Sequence, residues 1–465
     1  MKVERVKKVE NLFLILCLFW GFVFIIFNPP FQSPDEASHF YKVYGYEQGS
    51  FNYKKITVIY KDKKLKFQGQ ILPAGVVQTV ANADKFDSLS EQKTSFNKTA
   101  RMFSIPLEKD KKIFVGCPMP SYSPFSYILM IPSVWILSLF NASPLLMMYV
   151  CRICSLCVYC LLTYFAIKIT PVKKYFFLAV GLIPCAIFFG SIIGTDGITN
   201  GLAFLLFAYL LKLVYGRNID VISKKRIGIF YALIFLVILC KFAYAPLVLT
   251  YLLIPTKRFE NLKFKLKSFM LILVLCSVEI AAIVGWNLYL GRGLTSFASI
   301  LDSRELFWRA VLHPVEYLGL IFKTTIIFGR NWLSESILSF GRGPVILPFG
   351  GIIWGWLTIF LCSAFNLRED TLQISFKDRL IAALSSILCI FFTLSICYLL
   401  FTADYSQKII ENFQGRYLLP LMPVFLFIFS NKYMNFKTKV FDCFVLFFTN
   451  FVLVLSLIKL VERFY

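Results

Sequence analysis

Apolar stretches of about twenty residues recur along this 465-residue chain, separated by short polar segments, and they set its organisation before any motif is considered. Residues 11–27 form the first. After a long polar, lysine-rich region come 145–167, 175–193, 197–215, 227–243, 244–254 and 268–290, and after a second mixed region come 345–363, 379–401, 416–431 and 440–460. Two further apolar pieces, 124–140 and 314–328, are short; Pro132 interrupts the first and Lys323 the second, so they read as interfacial helices. Residues 244–254 are too short to cross alone and are acceptable only as part of a broken, buried helix marked by Pro246. The pattern predicts an all-α polytopic membrane protein of about eleven transmembrane helices, with a large first extracytoplasmic loop carrying membrane-surface helices. It divides as a tail and first helix (1–27), an external loop (28–144), a helical bundle (145–290), a second external region (291–344) and a C-terminal set of helices (345–465).

Composition agrees: 58% of the residues are hydrophobic and 16% charged, and the mean hydropathy is +0.70, which excludes a water-soluble globule. The net charge of +23 is spread between apolar runs, where lipid phosphates and the positive-inside bias account for it, and nucleic acid is discarded as a partner. Lys2, Arg5, Lys7 and Lys8 before the first span, and basic loops around 217–226 and 257–267, put the N-terminus in the cytoplasm of a bacterial cell and Asn28 outside. No small-residue cleavage site follows the first apolar run, which reads as an uncleaved anchor. Most of the 13 cysteines lie in apolar segments. The spacing of Cys151, Cys154, Cys157 and Cys160 imitates a metal motif but sits in a hydrophobic helix, where cysteine is a small packing residue.

On this topology four polar clusters meet the same outer face: Asp35, Glu36 and His39; Thr195, Asp196 and Asn200; Lys241; and Gln414 to Tyr417. Ionisable residues at membrane depth are costly and line cavities or substrate paths. Asp35 and Glu36 follow a proline-rich exit from the first helix (Pro29, Pro30, Pro34). Capping of the next helix explains them equally well. In a sugar transfer from a lipid phosphate the acceptor hydroxyl must lose a proton, and Asp35 is the candidate base. Glu36 would orient the acceptor or hold a divalent metal such as Mg or Mn, although no metal is established. His39, four residues on, shares the helical face of Asp35. Thr195 or Asp196 makes an ordinary N-cap. Lys241 is placed for a phosphate or for snorkelling to headgroups. The fork of Arg416 suits a phosphate, and Gly415 leaves room for a lipid-linked group. Glu279, in mid-span, needs a partner, for which Arg152 is the candidate.

The stretches QSPDEASHFYKVYGYEQG, SIIGTDGITNGLAFLL, LCKFAYAPLVLTYLLIPTKRF and ENFQGRYLLPLMPVFLF resemble, in that order, an uncharacterised bacterial family of multi-pass membrane proteins, over about residues 11–430. That family is similar to the GT-C glycosyltransferases. The resemblance implies a GT-C-like arrangement and transfer of a sugar from a polyprenyl-phosphate donor to a glycan, wall polymer or lipid acceptor outside the cytoplasmic membrane. It rests on Asp35 with Glu36, Asp196 and Lys241 and implies Asp35 as the base; Asp35 and Glu36 are thus the candidate catalytic residues, with His39, Asp196, Lys241, Gln414, Arg416 and Tyr417 as candidate substrate-binding residues. Two rivals remain open: a flippase, transporter or polymerase for lipid-linked saccharides, and a non-catalytic envelope-assembly subunit. The first-loop lysines 54, 55, 61, 63, 64 and 66 would attract an anionic acceptor, or are simply a solvated face.

Overall fold

A computed structural model describes residues 8–51, 54–60, 63–83, 92–116, 122–217, 219–289, 303–338, 349–364, 366–367, 374–402, 406–430, 435–436 and 439–465. Expectations resting on Lys2, Arg5, Lys7, Lys61, Cys117, Arg368, Lys432 and Lys437, and on 291–302 and 339–344, lie outside these residues.

Helix α1 (Val9–Phe27) buries Phe13, Cys17, Trp20 and Phe24 and turns Ile15, Phe19, Phe22 and Ile26 outward. That division suits a helix with protein on one side and lipid on the other. Gly21 lets it approach closely, because a Cβ there would stand 2.3 Å from Leu156. After the proline turn comes α2 (Glu36–Glu47). The loop beyond it then departs from an all-helical expectation: β1 (Lys54–Tyr60), β2 (Lys63–Pro73) and β3 (Lys112–Gly116) form an antiparallel sheet in the order 1-2-3, with Ile56 opposite Phe67 and Ile71 opposite Phe114. The β-branched run Ile56–Thr57–Val58–Ile59 favours a strand. Short helices α3 (Ala74–Asn82), α4 (Phe96–Met102) and α5 (Met130–Leu139) complete the loop. With ten residues, α5 spans about 15 Å, too little to cross a bilayer. It lies along α6 (Pro144–Ile169), with Trp135, Ile136, Leu139 and Phe140 exposed.

The remaining bundle is built from α6, the short pair α7 (Lys174–Gly181) and α8 (Pro184–Gly190), α9 (Asp196–Tyr215), α10 (Lys224–Cys240), a 3-10 run over Phe242–Leu253, α11 (Leu262–Tyr289), α12 (Ser303–Leu312) and α13 (Pro314–Leu338). It ends with α14 (Phe349–Ala364), α15 (Phe376–Phe401), a second 3-10 turn over Gly415–Leu421 running into α16 (Met422–Phe427), and α17 (Lys439–Phe464). Asn366–Leu367 and Asn435–Phe436 add a two-residue parallel pairing. The protein is therefore a mainly helical polytopic membrane protein with a small sheet in its first loop.

A helical element stands at every one of the eleven expected crossings, yet among the described residues only α1, α6, α9, α11, α15 and α17 are long and apolar enough to cross as single helices. The others are short or broken, several of them beside Pro184, Pro246, Pro420 or Pro423, where a missing N–H and a ring clash interrupt the helix. Broken segments are tolerated at membrane depth when protein surrounds them. Here α8, α10, α16 and the two 3-10 segments pack against α9, most of whose side chains are buried. Helix α13 is 25 residues long, longer than the 314–328 piece read as a surface segment. With α12 it makes a pair bent by 104°, a broken span or a re-entrant loop that would raise the number of crossings to seven.

Candidate functional site

Asp35 precedes the first turn of α2 in the left-handed conformation, at φ 62°. Short polar side chains tolerate that region better than others do. The kink sends two adjacent acids in different directions. Glu36 points inward, where its two carboxylate oxygens accept Arg152 Nε and Nη2 at 2.8 and 2.7 Å, and Oε1 also accepts the Ile193 backbone N–H at 3.2 Å. Both side chains are fully buried. Arg152 spends its remaining donors on the carbonyls of Ile25, Asn28 and Pro29. This bond set ties the C-terminal end of α1, the proline turn, α2, α6 and the approach to α9 into one unit.

Asp35 instead stays 48% exposed and faces Arg416, whose Nη2 lies 3.2 Å from its Oδ2. The same guanidinium reaches Asp196 Oδ2 at 3.5 Å, and Lys241 Nζ pairs with the other oxygen of Asp196. Asp196 begins α9, and Thr195 before it makes no side-chain cap. The carboxylate is committed to two cations rather than to the helix N-terminus. Lys241 joins α10 to the 3-10 run, and Arg416 lies in the second 3-10 turn. These irregular backbones bring the cations in from the sides of α9. Aromatic faces hold them: Arg416 lies 4.9 Å from the Phe189 ring centre and 5.4 Å from that of Tyr417, and Lys241 lies 5.0 Å from that of Tyr417. Tyr244 donates to the Tyr417 carbonyl at 3.0 Å, fixing the turn.

His39 is buried in the same neighbourhood, but its side chain does not orient Asp35. Its Nδ1 lies 2.7 Å from the Tyr127 hydroxyl, and its backbone N–H donates to the Asp35 carbonyl at 3.0 Å. Burial holds the imidazole neutral, lowering its pKa to about 3 against the opposing pull of Asp35. Gln414 is half-buried and lends its carbonyl to the Tyr417 N–H at 3.0 Å. Gly415 leaves no room for a ligand as the sequence suggested: its N–H donates to Glu335 Oε2 at 2.8 Å, and an added Cβ would fall 2.3 Å from the Trp332 carbonyl. Close packing of α13 is what excludes a side chain there.

Two other expectations change. Arg152 is the partner of Glu36 and not of Glu279, both of whose buried carboxylate oxygens lack a hydrogen-bond partner among the described residues. Glu36 fits no metal, since both of its oxygens are engaged by Arg152. Asp35 and Asp196 face cations, and among the described residues no three His, Cys, Asp or Glu side chains converge on a metal-sized site. Sequence reasoning also missed Phe189, Tyr127, Glu335 and Tyr122, whose ring centre lies 5.5 Å from that of His39. The aromatic content of SYSPFSY is the one signal in the sequence for Tyr122 and Tyr127; Phe189 and Glu335 have none.

The model of one membrane-protein family, described as predicted membrane protein (DUF2142), matches residues 18–425. The chain belongs to that family. The DUF2142 match spans the acids behind α1, the start of α9, Lys241 and the Gln414–Tyr417 turn, so the whole cluster lies within the shared region. No curated protein and no solved structure matches the chain.

Proposed function

We propose that this protein is an integral membrane glycosyltransferase that moves a sugar from a polyprenyl-phosphate donor to a cell-surface glycan, wall polymer or lipid on the outer face of the bacterial cytoplasmic membrane. The observation that carries the reading is Arg416 shared between Asp35 and Asp196, joining residues from the first loop, mid-chain and C-terminal region around one half-exposed carboxylate. A membrane protein seldom gathers two acids and two cations without a task for them. The topology that goes with it has a cytoplasmic N-terminus and all eleven apolar elements crossing, five of them as short or broken segments. The GT-C arrangement remains part of this proposal.

In the reaction, the donor phosphate competes with Asp35 for the Arg416 fork, whose planar donors suit phosphate as well as carboxylate. Displaced from its ion pair, Asp35 takes the proton of the acceptor hydroxyl. The acceptor oxygen then bonds to the anomeric carbon as the bond from that carbon to the phosphate oxygen breaks. Polyprenyl phosphate departs with the electron pair, its charge held by Arg416 and Lys241. Asp196 keeps both cations in position. Glycan composition of the envelope tests this in cells carrying wild type, a deletion, or Asp35→Asn at matched protein levels. Loss of the same sugar from both mutants is expected; a normal envelope with Asp35→Asn, alongside an altered one in the deletion, rules out Asp35 as the base.

A further inference from the structure

A groove of about 270 Å³ lies in the angle between α12 and α13, closed on its third side by Tyr398 of α15 and by residues 406–408. We propose that it binds the phosphate group of a phosphorylated sugar unit, which is the acceptor in the transfer; that role rests on the function proposed above, whereas the binding itself does not. Three observations carry it. First, α13 offers Glu316, Gly319, Leu320 and Lys323 to the groove, a spacing of i, i+3, i+4 and i+7 that puts them on one face of the helix. Lys323 sits among Phe322, Ile326 and Ile327, all exposed apolar side chains of α13. A lysine set amid exposed apolar side chains of a membrane protein is costly unless it serves a site.

Second, the charge is lopsided. Among the described residues, Arg309, Lys323 and Lys408, with His313 beside them, line the groove against one acid, Glu316, which Arg309 already engages at 2.7 Å. Among the described residues no acid pairs with Lys323 or Lys408. Third, the size and walls suit one ring rather than a long ligand. The volume falls just under the roughly 300 Å³ at which drug-sized pockets begin, and Tyr317 and Tyr398, with ring centres 5.1 Å apart, give an aromatic surface for a pyranose. Tyr417, beside Arg416, packs against the apolar cluster that holds Tyr398 of the groove.

Gly319 supplies a clean test, because a Cβ added there meets nothing within 4 Å; Gly319→Leu fills the groove without crowding the fold. Glucose 1-phosphate is titrated onto the full chain in phosphatidylcholine nanodiscs, with glucose and inorganic phosphate as comparators. In parallel, phosphatidylglycerol retained through delipidation is counted by mass spectrometry. Saturable glucose 1-phosphate binding identifies a soluble source of the phosphate, and retained phosphatidylglycerol identifies a lipid headgroup. Either one is expected to weaken at least ten-fold in Gly319→Leu and in the Lys323→Gln, Lys408→Gln double variant, and to survive in Asp35→Asn. The proposal is overturned if neither probe binds wild type, or if binding is the same in Gly319→Leu and the double variant as in wild type. Because binding is read without turnover, a failed transfer reaction leaves this result standing, and the reverse also holds.

Discussion

Asp35 and Glu36 are neighbours in sequence, yet they anchor two ion networks of opposite character. The Glu36–Arg152 network is closed: both side chains are fully buried, and both carboxylate oxygens and the arginine donors are spent on partners within the fold. The Asp35 network is open: one carboxylate is half-exposed, one arginine is divided between two acids, and one of those contacts is stretched to 3.5 Å. A closed network has nothing left to give a substrate and serves to fix geometry. An open one can exchange partners. Deciding which acid works and which one holds the fold therefore comes from counting partners, not from residue type.

The largest expected effect strikes the closed network. Arg152→Met strands a fully buried carboxylate, which costs about 3–5 kcal/mol. The variant should fail to accumulate or should melt far below wild type in detergent. Glu36→Leu with Arg152→Met removes both charges and should recover much of the loss, because well-packed apolar substitutes for a buried pair are often nearly neutral. Equal damage from the single and the double variant would mean that the pair does not hold the fold.

On the open network the expected order reverses, with function lost and fold kept. Asp35→Asn should lower transfer by about 10²-fold or more, while the melting midpoint stays close to wild type because the side chain is half in solvent. Lys241→Met should have a smaller effect on turnover than Asp35→Asn and should raise the apparent KM for the lipid donor, since Arg416 still faces Asp196. Lys241→Arg should restore part of it. Initial rates against donor concentration separate these outcomes, and an unchanged KM in Lys241→Met would remove the lysine from donor binding.

Much of the open site is legible in the sequence because its polar residues stand at the edges of apolar runs: Asp35 follows the first, Asp196 and Arg416 open later ones, and Lys241 interrupts one. The division of labour between Asp35 and Glu36 is not legible there. It depends on a left-handed backbone at Asp35 and on an arginine 116 positions from Glu36, and the arginine was read as a partner for Glu279. Gly415 misled for a similar reason, since a glycine that admits a ligand and one that admits a helix look alike until the neighbour is known. The apolar pattern located the helical elements well, and Pro246 foretold one of the broken segments, whereas the breaks beside Pro184 and Pro420 went unread. The sheet was hidden because β1 and β2 each open on a lysine pair, so alternation over KITVIY and KKLKFQGQILP did not stand out against the polar loop around it.

The smallest expected effect belongs to His39, which borders the open network without joining it. Its pKa of about 3 in the fold lies below the ordinary value near 6.5. The unfolded chain therefore binds the extra proton first as pH falls. His39 should leave stability unchanged above about pH 6.5 and erode it progressively from there toward pH 3. Melting midpoints between pH 7 and pH 4 should fall less steeply in His39→Gln than in wild type; parallel curves would contradict a buried neutral imidazole.

The most direct test of the division pairs turnover with folding in Asp35→Asn and Glu36→Gln, both purified into the same nanodiscs and supplied with a polyprenyl-phosphate sugar. Asp35→Asn should keep the wild-type melting midpoint and lose release of polyprenyl phosphate. Glu36→Gln should melt lower, and the fraction that remains folded should still turn over. A folded Asp35→Asn protein that releases polyprenyl phosphate at the wild-type rate would contradict the account.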